Sequence, residues 1–293
     1  MPTVFHHSSQ WIRDRPGAGE VEKGHPNGGS GGNELTSHGL LRDADVDLTS
    51  VLASSFAEAR PRPELTGYIA SLWVERGGGA WRRARVLPDG FVDLVWGTRL
   101  WVRGPDVRDH HVRYPPDATF IGIRFHPGAA APVLGVPASE LVDRRVYLTD
   151  LWGRPAAALE ERLAATRSVH GAMGALQNAL SERAARCRPP DAIVTAVVAA
   201  AAERSSPTDI RGLAGCLNVS ERQLRRRCRA ALGYGPKTLN RILRLQRVLA
   251  LAQRQPTLTI SQLATRGGYA DQAHLARECR QLGGDTPKRL LGR

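Results

Sequence analysis

The chain has no stretch of eighteen apolar residues, and its first thirty residues lack the basic-then-apolar order of a signal peptide. It is therefore read as a cytoplasmic protein with no membrane partner. Only four cysteines occur in 293 residues, Cys187, Cys216, Cys228 and Cys279, with neither a CxxC nor a Cys–His ligand spacing. That excludes a disulfide framework and a zinc site as readings, and no metal or cofactor is expected. No GxSxG elbow presents a serine nucleophile and no GxxxxGK loop is there to cradle phosphates. Acidic residues are scarce in one region above all. From Thr208 to Arg293 there are 17 Arg and Lys against 5 Asp and Glu, which places a net +12 of the chain's +13 in its last 86 residues. An excess so localised points to an anionic partner for that segment.

At this length two domains with separate cores are expected. Residues 1–60 are rich in Gly and Pro and poor in apolar clusters, a composition read as a disordered lead. Residues 61–188 turn β-rich: GYIASLWVER, ARVLPDGFVDLVWG, RLWVRG and ATFIGIRFHPG are short alternating or apolar runs punctuated by Gly, Pro and Asp. They predict a small antiparallel sheet or sandwich, followed by short helical turns and a helix over about 155–186. Residues 189–207 read as a helical connector and linker, broken by Pro189–Pro190 and Ser205–Ser206–Pro207.

Residues 208–293 contain one unit twice. Ile210, Leu213 and Ala214 correspond to Ile260, Leu263 and Ala264 at a shift of 50. After one inserted residue, Ser220, Leu224, Arg226, Cys228, Arg229, Gly233, Pro236, Lys237 and Leu239 correspond to Asp271, Leu275, Arg277, Cys279, Arg280, Gly284, Pro287, Lys288 and Leu290 at 51. Each unit reads as a short helix, a tight turn and a second helix. Ser220 and Asp271 are the expected N-caps, Gly233 and Gly284 the helix ends, and Pro236 and Pro287 the first turns of the next helices. Leu224 with Cys228, and Leu275 with Cys279, are i, i+4 pairs that should face inward. The opposite faces then carry Arg222, Arg225, Arg226 and Arg229 in the first copy and Gln272, Ala273, His274, Arg277 and Arg280 in the second. Guanidinium, amide and small apolar groups of this kind read guanine, adenine and the thymine methyl in a DNA major groove. Arg229, Arg280, Lys237, Lys288 and Arg244 are assigned to the DNA backbone, with pairing inside the domain as the alternative for Arg244. PKTLNRILRLQRVLALAQR between the units predicts one continuous helix, able to space two recognition helices for successive major grooves.

The ordered signature, SERQLRRRC with GYGP and GGYADQAHLAREC with GDTP, resembles the DNA-binding domain of AraC/XylS-type transcription regulators. The resemblance covers residues 208–291 and implies a sequence-specific, double-stranded-DNA-binding regulator. It also implies base contacts from Arg222, Arg225, Arg226, Gln272, Ala273, His274 and Arg277. Cys228, Cys279 and Leu239 depart from the family, which usually has aromatic residues there. The β-rich part resembles the cupin-like sensor-type domain that precedes this module in many such regulators, which implies ligand sensing or dimer contact. The expected fold is therefore α+β and multidomain: an antiparallel, cupin-like β domain with helices, then an all-α domain of two helix-turn-helix units on a linker helix. RNA polymerase, a small-molecule effector and a second copy of the chain are the further candidate partners.

Asp93 is the odd acid in the apolar run VDLVW. If it points inward it must be paired, with Arg124 the candidate, because an isolated buried charge is costly. Such a pair either lines an effector pocket or braces the sheet. A cupin-like enzyme would instead need a metal cluster drawn from His110, His111, His126, Asp93 and Glu75. Since DHH is expected in a polar loop, those histidines are read as solvated or structural and no catalysis is expected. The rival readings are an enzyme or repair-type protein with its activity in the first domain, and a non-specific DNA-binding protein.

Overall fold

Period-two alternation between Phe56 and Tyr147 builds two antiparallel sheets in the computed structural model, which describes residues 56–203 and 209–292 and the backbone of Ile12–Arg13. The larger sheet has the order β2 (Phe56–Ala59), β3 (Ile69–Arg76), β8 (Thr119–Phe125), β5 (Val92–Trp96), β6 (Leu100–Arg103) and β9 (Arg145–Tyr147). The smaller one pairs β1 (Ile12–Arg13), β4 (Arg82–Val86) and β7 (His110–Tyr114).

The two faces of the large sheet have different fates. Leu72, Val74, Leu94, Leu100, Val102, Ile121 and Ile123 project to one side and join Leu159, Leu163, Leu176 and Leu180 in a single apolar core. Those leucines come from helices α3 (Arg154–Ala165) and α4 (Val169–Ala184), which follow α1 (Ala130–Leu134) and α2 (Leu148–Trp152). The intervening positions, Trp73, Asp93, Trp101, Arg103, Phe120 and Arg124, line the other side. That alternation explains the acid in VDLVW: Asp93 is one step out of phase with the core residues Val92 and Leu94. Gly122 belongs to this second face because the Trp73 indole lies flat across it, so a Cβ there would stand 2.0 Å from Cε2.

Several expectations need correction. The sheet begins at Phe56, inside the segment read as a disordered lead, and Ile12–Arg13 pairs with β4. The rest of that segment lies outside the described residues, as do 204–208 at the expected join. The helix expected over about 155–186 is two helices, because Thr166–Ser168 leaves the helical path and the Ser168 hydroxyl caps α4 by accepting from the Gly171 N–H at 3.0 Å. His110 and His111 are in strand β7, not in a polar loop. The connector α5 (Ala192–Glu203) is no free spacer, since Val194, Val197 and Ala201 enter the core of the C-terminal domain.

That domain comprises α6 (Ile210–Cys216), α7 (Glu221–Leu232), α8 (Pro236–Arg254), α9 (Ile260–Arg266), α10 (Gln272–Gly283) and α11 (Pro287–Leu290). Among the described residues no helix is long and apolar enough to cross a membrane. The β domain also reaches into the helical one: Leu87, from the turn between β4 and β5, is 4% exposed and belongs to the helical core.

Gly122→Ala should destabilise the protein by about 1–3 kcal/mol through overpacking against Trp73. Gly174→Ala, in α4 with open space at the Cβ position, should stabilise it by roughly 0.5–1 kcal/mol. Urea denaturation of the two variants gives opposite shifts of midpoint on this account.

Candidate nucleic-acid interface and interdomain cavity

The duplicated units fold as two helix-turn-helix pairs, α6–α7 and α9–α10. In the first, the Ser220 hydroxyl accepts from the Gln223 N–H at 3.2 Å while the Gln223 side chain accepts from the Ser220 N–H at 3.0 Å, a complete capping box. In the second, Asp271 caps α10 by accepting from the His274 N–H at 2.6 Å. The turns share one left-handed residue, Asn218 at φ 51° and Gly268 at φ 78°. Val219 and Tyr269 then both donate to the equivalent carbonyls, Ala214 and Ala264. The inserted residue is therefore Ala270, which lengthens the approach to the second recognition helix. Gly233 and Gly284 end their helices at positive φ.

Inward, Leu224, Cys228 and Leu232 on α7 and Leu275, Cys279 and Leu282 on α10 are buried. Burial pushes the Cys228 thiol up to about 11 and the Cys279 thiol up to about 12, so both sit in the core as neutral apolar groups. Outward, Arg222, Arg225, Arg226 and Arg229 on α7 are exposed, as are Gln272, Ala273, Arg277 and Arg280 on α10 and Lys237 and Lys288 at the following helix starts. Arg225 bonds Glu221 one turn back at 2.7 Å. His274 is half-buried, its ring edge-on to Tyr269 at 5.1 Å, so it is less free for a base than its neighbours. The turn Ala138–Glu140 of the β domain packs beside α7. Pro137 and Ser139 form an open groove with Arg222, Arg225, Arg226 and Arg229.

Arg244 does not belong to the DNA backbone set. Its side chain is 13% exposed, bonds Glu278 at 3.0 Å and lies 4.4 Å over the Tyr269 ring. Glu278 is itself 5% exposed and also takes Arg241 at 2.6 Å, so it turns inward to join α8 to α10 rather than neutralising the outer face.

Comparison with known proteins agrees with this geometry. Residues 213–293 match the model of a helix-turn-helix domain. That match takes in both helix-turn-helix units, from within α6 to the end of α11. Residues 57–147 match the model of a domain of unknown function. Among solved structures, an apo ToxT variant from Vibrio cholerae strain SCE256 is similar at 11% identity and a TM-score of 0.40, over 75% of this chain and 97% of that one. Unsaturated fatty acid-bound wild-type ToxT from the same strain is similar at 10% identity and a TM-score of 0.40, over 76% and 96%. No curated protein matches the chain.

Between the β domain and α8 of the helical domain lies a cavity of about 820 Å³. Trp73, Phe91, Trp101, Tyr114 and Phe120 give it aromatic walls, and Leu243, Gln246, Arg247 and Ala250 close it from the linker helix. Asp93 and Arg124 face each other across the β5–β8 ladder and pair in bidentate fashion, Nε to Oδ1 at 3.0 Å and Nη2 to Oδ2 at 2.9 Å. Asp89 lies beside them, 3.5 Å from Arg124 Nη2, and accepts from the Phe91 N–H at 3.0 Å. Burial raises Asp89 to about 6, against the pull of the guanidinium. Arg124 is 6% exposed, and its Nη1 is buried without a partner among the described residues. The expected Asp93–Arg124 pair thus exists and lines a cavity. Sequence reasoning missed Asp89, which read as a plain turn residue, and the contribution of α8.

The histidine cluster weighed for an enzyme is not assembled. Glu75 is taken by Arg82, His110 lies on Asp106 at 3.2 Å, and among the described residues no three His, Cys, Asp or Glu side chains form a metal-holding group.

Arg244→Ala should cost about 3 kcal/mol of folding stability by stranding part of a buried charge cluster, with no change in the salt dependence of DNA binding. Arg229→Ala should do the reverse, lowering the salt slope by about 1 with stability unchanged. Denaturation and binding titrations over a salt series separate the two.

Proposed function

We propose that the chain is a sequence-specific transcription regulator whose helices α7 and α10 enter successive major grooves, gated by a small effector held in the interdomain cavity. The observation that supports DNA reading is the pair of outward faces: Arg222, Arg225, Arg226 and Arg229 on α7 and Gln272, Ala273, Arg277 and Arg280 on α10 are exposed on capped helices that share α8. Arg222, Arg225, Arg226, Gln272, Ala273 and Arg277 are the base-reading set, with His274 at its half-buried margin. Arg229, Arg280, Lys237 and Lys288 hold phosphates. At 19 residues α8 is about 28 Å long, which suits recognition helices set about one DNA turn apart.

The effector reading rests on the cavity's chemistry. Its lining carries Arg103, Arg113, Arg124, Arg145, Arg247 and Arg254 against Asp89, Asp93 and Asp106. The aspartates are used by Arg124, Arg103 and His110. What is left over is donor capacity, namely Arg124 Nη1 in the floor, with Arg247 pairing no carboxylate among the described residues and donating only at long range from Nη2 to the Ala201 and Ala202 carbonyls, 3.4 and 3.5 Å away. A flat apolar body carrying one anionic or carbonyl group matches aromatic walls and surplus donors.

Arg222→Ala and Gln272→Ala should each weaken binding to a selected duplex by roughly 1–3 kcal/mol and relax base choice at one position. Equal losses on selected and random DNA would contradict the base-reading assignment. For the cavity, thermal unfolding against aromatic carboxylates and the matching aromatic amines should show stabilisation by the acids alone, abolished in Arg124→Met.

A further inference from the structure

The turn Leu87–Pro88–Asp89–Gly90 touches the cavity, the linker helix and the DNA-binding core with consecutive residues. The Leu87 side chain is packed in the helical core, its Cδ2 3.4 Å from where a Cβ on Gly283 of α10 would stand. The Pro88 carbonyl accepts from Gln246 Nε2 of α8 at 2.6 Å. Asp89 faces the cavity floor. Gly90 backs onto Tyr234, whose hydroxyl is 3.6 Å from the Cβ position of Gly90.

Tyr234 stands in the three-residue joint Gly233–Gly235 between α7 and α8, so its placement sets how the first recognition helix leaves the linker helix. That joint is pressed against the β domain: a Cβ on Gly233 would meet Val142 at 2.7 Å and Pro105 at 2.9 Å. The Tyr234 ring is 6% exposed, and its hydroxyl is buried with no partner among the described residues. A buried hydroxyl left unpaired in a native protein calls for a reason. A second orphan donor is Arg124 Nη1. Nη2 of the same guanidinium is 3.5 Å from Oδ2 of Asp89 in this turn, an ion pair too long for a strong charge-assisted bond.

We propose that Asp89 and Tyr234 form a two-position latch between cavity and DNA-binding domain: Asp89 leans on Arg124 when the cavity is empty and bonds the Tyr234 hydroxyl when a ligand occupies Arg124, resetting α7 against α8. The proposal rests on the effector reading above, and adds the route by which occupancy reaches DNA. A ligand group on Arg124 Nη1 competes for the guanidinium that now attracts Asp89, and the Tyr234 hydroxyl beside Gly90 is a buried donor without a partner among the described residues. Burial, with Asp89 and Asp106 nearby, pushes the Tyr234 hydroxyl up, so it stays a neutral donor throughout. Protonation imitates the ligand. Asp89 is raised to about 6 by burial, with Arg124 opposing and Asp93 and Asp106 reinforcing the rise. Acidification therefore releases it from Arg124 without any effector.

The test uses the full chain and a duplex it selects from a random pool, with pH as the probe. Affinity is measured at pH 7.5 and 5.5 for wild type, Asp89→Asn, Tyr234→Phe and the double variant. We expect at least a threefold change in wild type that shrinks in each single variant and shrinks no further in the double variant. Any pH dependence that arises elsewhere, on the DNA-facing helices included, persists in all four proteins and cancels in the cycle. Amide hydrogen exchange across residues 234–238 should shift with pH in wild type and not in Asp89→Asn, a readout that needs only folded protein. Additive effects of the two substitutions, or exchange at the joint that ignores Asp89, would overturn the latch. If acids fail to stabilise the cavity but the cycle stays non-additive, the effector reading fails and the latch survives. Binding of acids with an additive cycle gives the converse.

Discussion

Helix α8 is hemmed in on every side, and this burial governs the rest. Leu239, Ile242, Leu243, Leu245, Val248 and Leu249 are all buried, which is far more than one amphipathic stripe. One side joins α5, another joins α9 and α10, and the side bearing Gln246, Arg247 and Ala250 closes the cavity. A helix gripped by three partners cannot shift relative to one without disturbing the others, because protein interiors are close-packed. The same rigidity that spaces α7 and α10 therefore ties them to whatever happens in the β domain.

Charge is distributed to suit that arrangement. Glu278, one of the few acids in the basic third, is spent inside, clamping Arg241 and Arg244 between α8 and α10. The outer arginines are left with little counter-charge, Glu221 beside Arg225 and Asp191 beside Arg227 being the exceptions on α7 among the described residues. Partitioning the acids inward leaves a face that is strongly cationic yet built on a well-satisfied framework, which is what association with a polyanion requires.

The helical domain was legible because its information is local. Capping residues, i, i+4 pairs and a repeat at 50 and 51 residues each report on neighbours in sequence, and Ser220, Asp271, Gly233 and Gly284 stand where that reasoning puts them. Arg244 was misassigned for the same reason: its partner Glu278 is 34 residues away, on another helix. The cavity was legible only in part. The phase of Asp93 within VDLVW marked it as unusual, and cross-strand pairing delivered Arg124. Nothing in LPDG announced that Leu87 would leave its own domain, since a turn leucine and a core leucine read alike until the partner surface is known. The split between α3 and α4 was similarly hidden, because leucines at Leu159, Leu163, Leu176 and Leu180 keep a common rhythm across the break.

The central claim is that α7 and α10 act together on one duplex. Hydroxyl-radical footprinting of the full-length protein on a selected duplex tests it most directly. Two protected patches on the same face of the DNA, centred about 10 base pairs apart, are the predicted result. A single patch, or uniform weak protection along the whole fragment, would contradict it.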